Sequence, residues 1–126
     1  NHHGGVVRVG DYIYGYSDSE GWVCLEFQKF GGDDEPKPAW TSKKLGKGSV
    51  SYADGHLYCY SEDKGELALV KADPEEWKEA GRLSLPDNSK TRPRSGKVWP
   101  HPVVADGKLY LRDYEWLFCY DLTGKQ

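Results

Sequence analysis

The sequence has no methionine and only three cysteines, Cys24, Cys59 and Cys119, among its 126 residues. A disulfide framework needs an even and denser set, so none is expected. No two cysteines form a CxxC pair, which argues against a zinc ribbon or a thioredoxin-type redox site. The three lie in separate apolar segments and are expected to be buried, reduced thiols. No stretch approaches the roughly 20 apolar residues that a membrane-spanning helix requires, so no membrane span is expected. Positive charge is not in surplus either. With 17 Lys and Arg against 20 Asp and Glu, the net charge is -3 and the pI about 5.8, which gives no global attraction to nucleic acid or to an anionic membrane. Ser-His-Asp order, a glycine-rich phosphate loop and HExxH are all missing, so no residue is assigned a catalytic role.

Turn formers and aromatics are abundant. Fifteen Gly, seven Pro, nine Tyr, five Trp and a mean hydropathy of -0.78 suit a turn-rich β protein with polar loops rather than a helix bundle. One phrase occurs three times, as Val7-Arg8-Val9-Gly10-Asp11-Tyr12-Ile13-Tyr14, Ser51-Tyr52-Ala53-Asp54-Gly55-His56-Leu57-Tyr58 and Val103-Val104-Ala105-Asp106-Gly107-Lys108-Leu109-Tyr110. Its tyrosines, at 14, 58 and 110, are 44 and 52 residues apart, near the roughly 40 to 50 residues of a propeller blade. Each phrase sets a two-residue turn between β-branched and aromatic runs. Asp-Gly favours the type I′ turn and a leading Gly the type II′ turn, so each phrase is a β-hairpin.

A second turn follows in each copy, through Ser17 to Gly21, Ser61 to Gly65 and Arg112 to Glu115. It leads into Trp22-Val23-Cys24-Leu25, Leu67-Ala68-Leu69-Val70 and Leu117-Phe118-Cys119-Tyr120. A fourth strand is expected around Pro38 to Thr41 and around Gly81 to Leu85, with none in the third copy. In Asp73-Pro74-Glu75-Glu76-Trp77 an Asp at an N-cap position precedes Pro at the first helical position, which predicts one short helical turn. The acidic stretch Gly31 to Glu35 lacks the alternating spacing of an EF-hand loop and reads as a surface loop. The expected fold is therefore all-β, about three consecutive four-stranded antiparallel β-propeller blades, the last without its outer strand. Their spans are about 4-46, 47-88 and 97-126, a partial propeller domain over 1-126.

The third copy, Pro102-Val103-Val104-Ala105-Asp106-Gly107-Lys108-Leu109-Tyr110-Leu111-Arg112-Asp113 followed by Leu117-Phe118-Cys119-Tyr120-Asp121-Leu122-Thr123-Gly124-Lys125, closely resembles the blade repeat of the pyrroloquinoline-quinone-like propellers. Family repeats run on to a docking Trp that packs between neighbouring blades, a part that Trp40 resembles in the first copy. The resemblance implies a bacterial protein of the periplasm or cell envelope. It leaves two functions open, because fold alone does not set function. One is a non-catalytic module that binds or scaffolds a protein or small molecule. The other is a fragment of a quinone-dependent alcohol or sugar dehydrogenase whose cofactor residues lie on other blades. Family enzymes hold the quinone against adjacent cysteines and a calcium against acidic and amide side chains. No adjacent cysteine pair occurs here, so neither the quinone nor calcium is expected on this chain.

Aligning the copies on their tyrosines brings Gly5, Ser49 and His101 to one position, with His3, Lys47 and Trp99 two residues earlier. The first strand of a blade lines the propeller axis. His2, His3, Lys47, Ser49, Trp99 and His101 are therefore expected at one mouth of the central channel, as ligand-binding candidates. Consecutive His2 and His3 would face opposite sides of a strand, which disfavours a metal site. His56, in a hairpin turn, is expected to be exposed. Lys90, Arg92, Arg94 and Lys97 form a short basic run without aromatics, expected as a solvated connection rather than a nucleic-acid contact. The open start and the absent fourth strand lead to one more expectation, that the chain pairs with copies of itself or with the remaining blades of a longer parent.

Overall fold

Turn chemistry sets the hairpins of the computed structural model, which describes residues 1–27 and 35–124. Gly10 has φ +60°, as the first central residue of a type II′ turn requires, while Asp54 and Gly55 (+48° and +73°) and Asp106 and Gly107 (+49° and +68°) both take the left-handed values of type I′. The three turns join β1 (Val6–Val9) to β2 (Tyr12–Ser17), β5 (Gly48–Ala53) to β6 (His56–Ser61), and β9 (Val103–Ala105) to β10 (Lys108–Asp113). The second turns lead into β3 (Gly21–Glu26), β7 (Glu66–Lys71) and β11 (Trp116–Asp121). Fourth strands follow in two copies, as β4 (Pro38–Ser42) and β8 (Lys78–Ser84).

The result is three antiparallel sheets in strand orders β1-β2-β3-β4, β5-β6-β7-β8 and β11-β10-β9, none closed on itself and with no helix among the described residues. The registers repeat as well. Tyr14 lies opposite Val7 and Cys24, Tyr58 opposite Ser51 and Leu69, and Tyr110 opposite Val103 and Cys119. The pairing with the fourth strand slips just after Cys24 in the first sheet and just after Leu69 in the second, the same place in both.

Strand side chains alternate between two faces, so each sheet can bury both. Tyr14, Trp22, Cys24 and Trp40 of sheet 1 share a core with Val50, Leu57, Cys59, Ala68 and Val70 of sheet 2. The opposite face of sheet 2, with Tyr58, Tyr60 and Leu67, shares a second core with Leu109 and Leu111 of sheet 3. Sheet 2 is thus the shared layer, and each fully buried large apolar side chain there contributes roughly 1.5–3 kcal/mol. Trp40 spans the first core. Its indole N–H donates to the carbonyl of Asp73 (2.8 Å) and its ring meets Trp77 edge-on at 5.8 Å. Backbone also approaches backbone closely at two glycines. A Cβ on Gly48 would stand 1.9 Å from the Tyr60 carbonyl oxygen, and one on Gly4 2.0 Å from that of Gly48, so both positions require glycine.

Several expectations are corrected. Residues 74–76 form bends and no helical turn. The Asp73 carboxylate does accept the Glu75 N–H (2.9 Å), but Trp77 is drawn into the core and the chain straightens into β8. Cys119 is exposed whereas Cys24 and Cys59 are buried, because no further sheet covers its face. His56 is half-buried, its Nδ1 2.8 Å from the Asp54 carbonyl across the turn. Of the acidic stretch, Gly31 to Asp34 lie outside the described residues. The basic run is solvated only in part: Lys90 and Arg94 are exposed, but Arg92 and Lys97 are engaged by Asp113 and Asp63.

Candidate binding site at the ends of the first strands

The first strands of successive sheets lie side by side, joined by contacts that use backbone oxygens as acceptors. The Val50 N–H donates to Gly4 (3.2 Å), the Ser49 hydroxyl to Pro100 (3.2 Å) and the Ser51 hydroxyl to Pro102 (2.5 Å). This places the segments preceding β1 and β9 together beside the start of β5.

All six candidate residues meet there. His2 and His3 have ring centroids 4.0 Å apart, and the ring of Trp99 lies 4.6 Å from that of His3. The adjacent histidine rings therefore lie side by side, tilted by 41°, rather than diverge, because the segment before Val6 is not a strand. Lys47 donates from Nζ to His2 Nδ1 (3.3 Å) and to Asp18 Oδ1 (2.6 Å). That hydrogen bond holds the Asp18 carboxyl below its ordinary range and raises the Lys47 ammonium above its own. His101 bridges two segments, with Nδ1 3.3 Å from the Val50 carbonyl and Nε2 3.2 Å from that of His3. Ser49 is buried and spent on Pro100, so it shapes the floor rather than offering a free hydroxyl. Trp99, 53% exposed, presents a flat apolar face to solvent. The arrangement can stack a planar ring and offer imidazole and ammonium donors at its rim, with the Lys47 charge largely balanced by Asp18.

Asp18 was not among the sequence candidates; it sits in the turn between β2 and β3 of sheet 1, and only the packing of sheet 1 against sheet 2 brings it to Lys47, just before β5. A second polar cluster was also missed. Asp113 is fully buried on β10, accepting the Ser89 N–H at Oδ2 (2.8 Å) with Arg92 Nε 3.7 Å from Oδ1. Neither Arg92 Nη1 nor Asp113 Oδ1 has a hydrogen-bond partner among the described residues. Beside it, Glu115 accepts from the hydroxyls of Ser89 (2.5 Å) and Thr91 (2.6 Å), which lowers its carboxyl to about 2. These contacts fasten the loop between sheets 2 and 3 rather than form an open site.

Cys24, Cys59 and Cys119 stand on three different strands. Among the described residues no group of three or more His, Cys, Asp or Glu side chains could hold a metal ion. No helix of the described residues is long and apolar enough to cross a membrane. No protein-family model matches the chain, and no curated protein matches it.

Proposed function

We propose that the chain is a partial β-propeller of the quinoprotein-like type that works as a non-catalytic binding or scaffolding module, within a parent of the bacterial periplasm or cell envelope. One observation carries the binding role: His2, His3, Lys47, Ser49, Trp99 and His101 converge where the first strands of three sheets begin. Small-molecule sites combine apolar and aromatic walls with a few placed polar groups, and Trp99 with its polar neighbours supplies those two elements. Its ligand is a small molecule with an apolar ring face, such as the C–H face of a pyranose, for Trp99 and hydrogen-bond acceptors for His2, His3 and Lys47. A sugar acid satisfies both demands.

Titrating the protein with glucuronate, with glucose as the uncharged control, tests this through the backbone amide signal of Lys47, which Trp99→Ala retains, in NMR spectra. Saturable movement of that signal is expected, with Trp99→Ala weakening binding by about tenfold, the scale of one truncated anchor residue. Equal affinity in wild type and Trp99→Ala would remove the site. The rival reading, a piece of a quinone-dependent dehydrogenase, is separated by adding pyrroloquinoline quinone and calcium and assaying dye-linked alcohol oxidation. A stoichiometric, redox-active complex would overturn the non-catalytic reading.

A further inference from the structure

His101 differs from its neighbours at the strand ends, because both of its ring nitrogens face backbone carbonyls. Nδ1 lies 3.3 Å from the Val50 oxygen and Nε2 3.2 Å from that of His3. A neutral imidazole carries one N–H and one lone pair, so it donates to only one of the two oxygens; the imidazolium donates to both. Loss of the proton turns a ring lone pair against a carbonyl oxygen.

The two sides of this bridge are held differently. The segment that carries His101 is fastened to β5 on either side of the ring, by the Ser49 hydroxyl on Pro100 and the Ser51 hydroxyl on Pro102. The strap of His3, Gly4 and Gly5 before β1 meets β5 through the Val50 N–H on the Gly4 carbonyl (3.2 Å), and it meets the ring itself. Gly5 shows how close that second contact is: its φ is +64°, and a Cβ there would stand 2.9 Å from His101 Cε1. The same strap brings the His3 ring to 4.6 Å from Trp99.

From this we infer that His101 is a positioning residue that acts as a proton-dependent latch, pinning the strap to β5 as imidazolium and loosening it when the proton is lost. The latch rests on the ring geometry alone; that it governs a ligand rests on the reading of the site given above. A docked strap favours the charged ring, so docking is firm at low pH and weakens as pH rises through about 5 to 8, where imidazoles discharge. Two other histidines titrate beside it. A protonated His3 ring gains from the face of Trp99 and acts in the same direction. His2 acts in the opposite one, because its Nδ1 accepts from the Lys47 ammonium. Lys47 is held by Asp18, and Lys97, on the segment of His101, by Asp63.

Amide exchange of Val50 in the ligand-free whole chain tests the latch, because Gly4 closes off that N–H. Its protection factor, which removes the intrinsic pH dependence of exchange, is expected to be about two- to tenfold higher at about pH 5 than at about pH 8, the scale of one net hydrogen bond. His101 is exposed, so His101→Gln keeps the fold, and its protection is expected to be equal at both pH values. A flat profile in wild type, or a His101→Gln chain that keeps the wild-type ratio, would overturn the latch. Glucuronate, followed at the Lys47 amide, separates the two readings. A wild-type Val50 ratio without glucuronate binding supports the latch and removes only the ligand; glucuronate binding with a flat Val50 profile overturns the latch and leaves the ligand in place.

Discussion

The three cysteines differ in what surrounds them, not in the segments that carry them. Cys24 and Cys59 sit inside the core shared by sheets 1 and 2, and burial pushes both thiols above the ordinary range. Cys119 occupies the register position of Cys24, each opposite the repeat tyrosine, but is exposed. Thiolate is the reactive form, so accessibility and acidity act in the same direction. In dilute native protein a chromogenic disulfide reagent is expected to titrate one thiol quickly, with the other two reacting only after denaturant is added. Three fast thiols in the native state would mean that the first core is not closed. Sequence alone placed all three in apolar segments and expected them buried. That reasoning holds for a strand with both faces covered, and the cover of Cys119 depends on what lies beside sheet 3.

The strands were legible because their determinants are local. Asp54-Gly55 and Asp106-Gly107 adopt the left-handed backbone that their turn type demands, and the tyrosines at 14, 58 and 110 fall in register on β2, β6 and β10. Six residues at the strand ends were also legible, since the alignment of the repeats carries them to one place. The connection between sheets 2 and 3 was not, because its partners lie far along the chain: Ser89 and Thr91 reach Glu115, and Arg92 reaches Asp113. The Asp73 segment failed for a similar reason, its local capping signal being outweighed by the burial of Trp77. The loop contact has a pH signature. The hydroxyls of Ser89 and Thr91 lower the folded carboxyl of Glu115 from 4.5 to about 2. A depressed carboxyl contributes stability that is complete above its unfolded value and lost as pH falls through the folded one. Loop docking is therefore expected to loosen as pH drops from about 4.5 towards about 2, and Glu115→Gln to remove that dependence while leaving the core intact. Backbone amide signals of Lys90 and Arg92 that shift identically in both proteins across this range would contradict it.

Across the whole molecule the two cores meet only through sheet 2, which gives the stack a layered stability. In arrays of this kind each unit is held by its own packing plus the interface with its neighbour, and units open separately when those terms differ. Sheet 1 has four strands and the core that contains Trp22, Trp40 and Trp77. Sheet 3 has three strands, one bare face and an interface centred on Leu109 and Leu111. Sheet 3 is consequently the layer that opens first. Replacing Leu109, 1% exposed, with Ala removes buried apolar volume from the second core, at a cost of roughly 2–5 kcal/mol. If that cost falls on the local opening of sheet 3, amide exchange in dilute native protein accelerates through β10 and β11 while β2 and β3 keep their protection. Leu57→Ala, an equally buried site in the first core, acts on the layer common to both cores and is expected to accelerate exchange in sheets 1 and 2 together. Uniform acceleration in all three sheets by Leu109→Ala would show instead that the stack unfolds as one cooperative unit, with the sheet 2 to sheet 3 interface holding as firmly as the aromatic one.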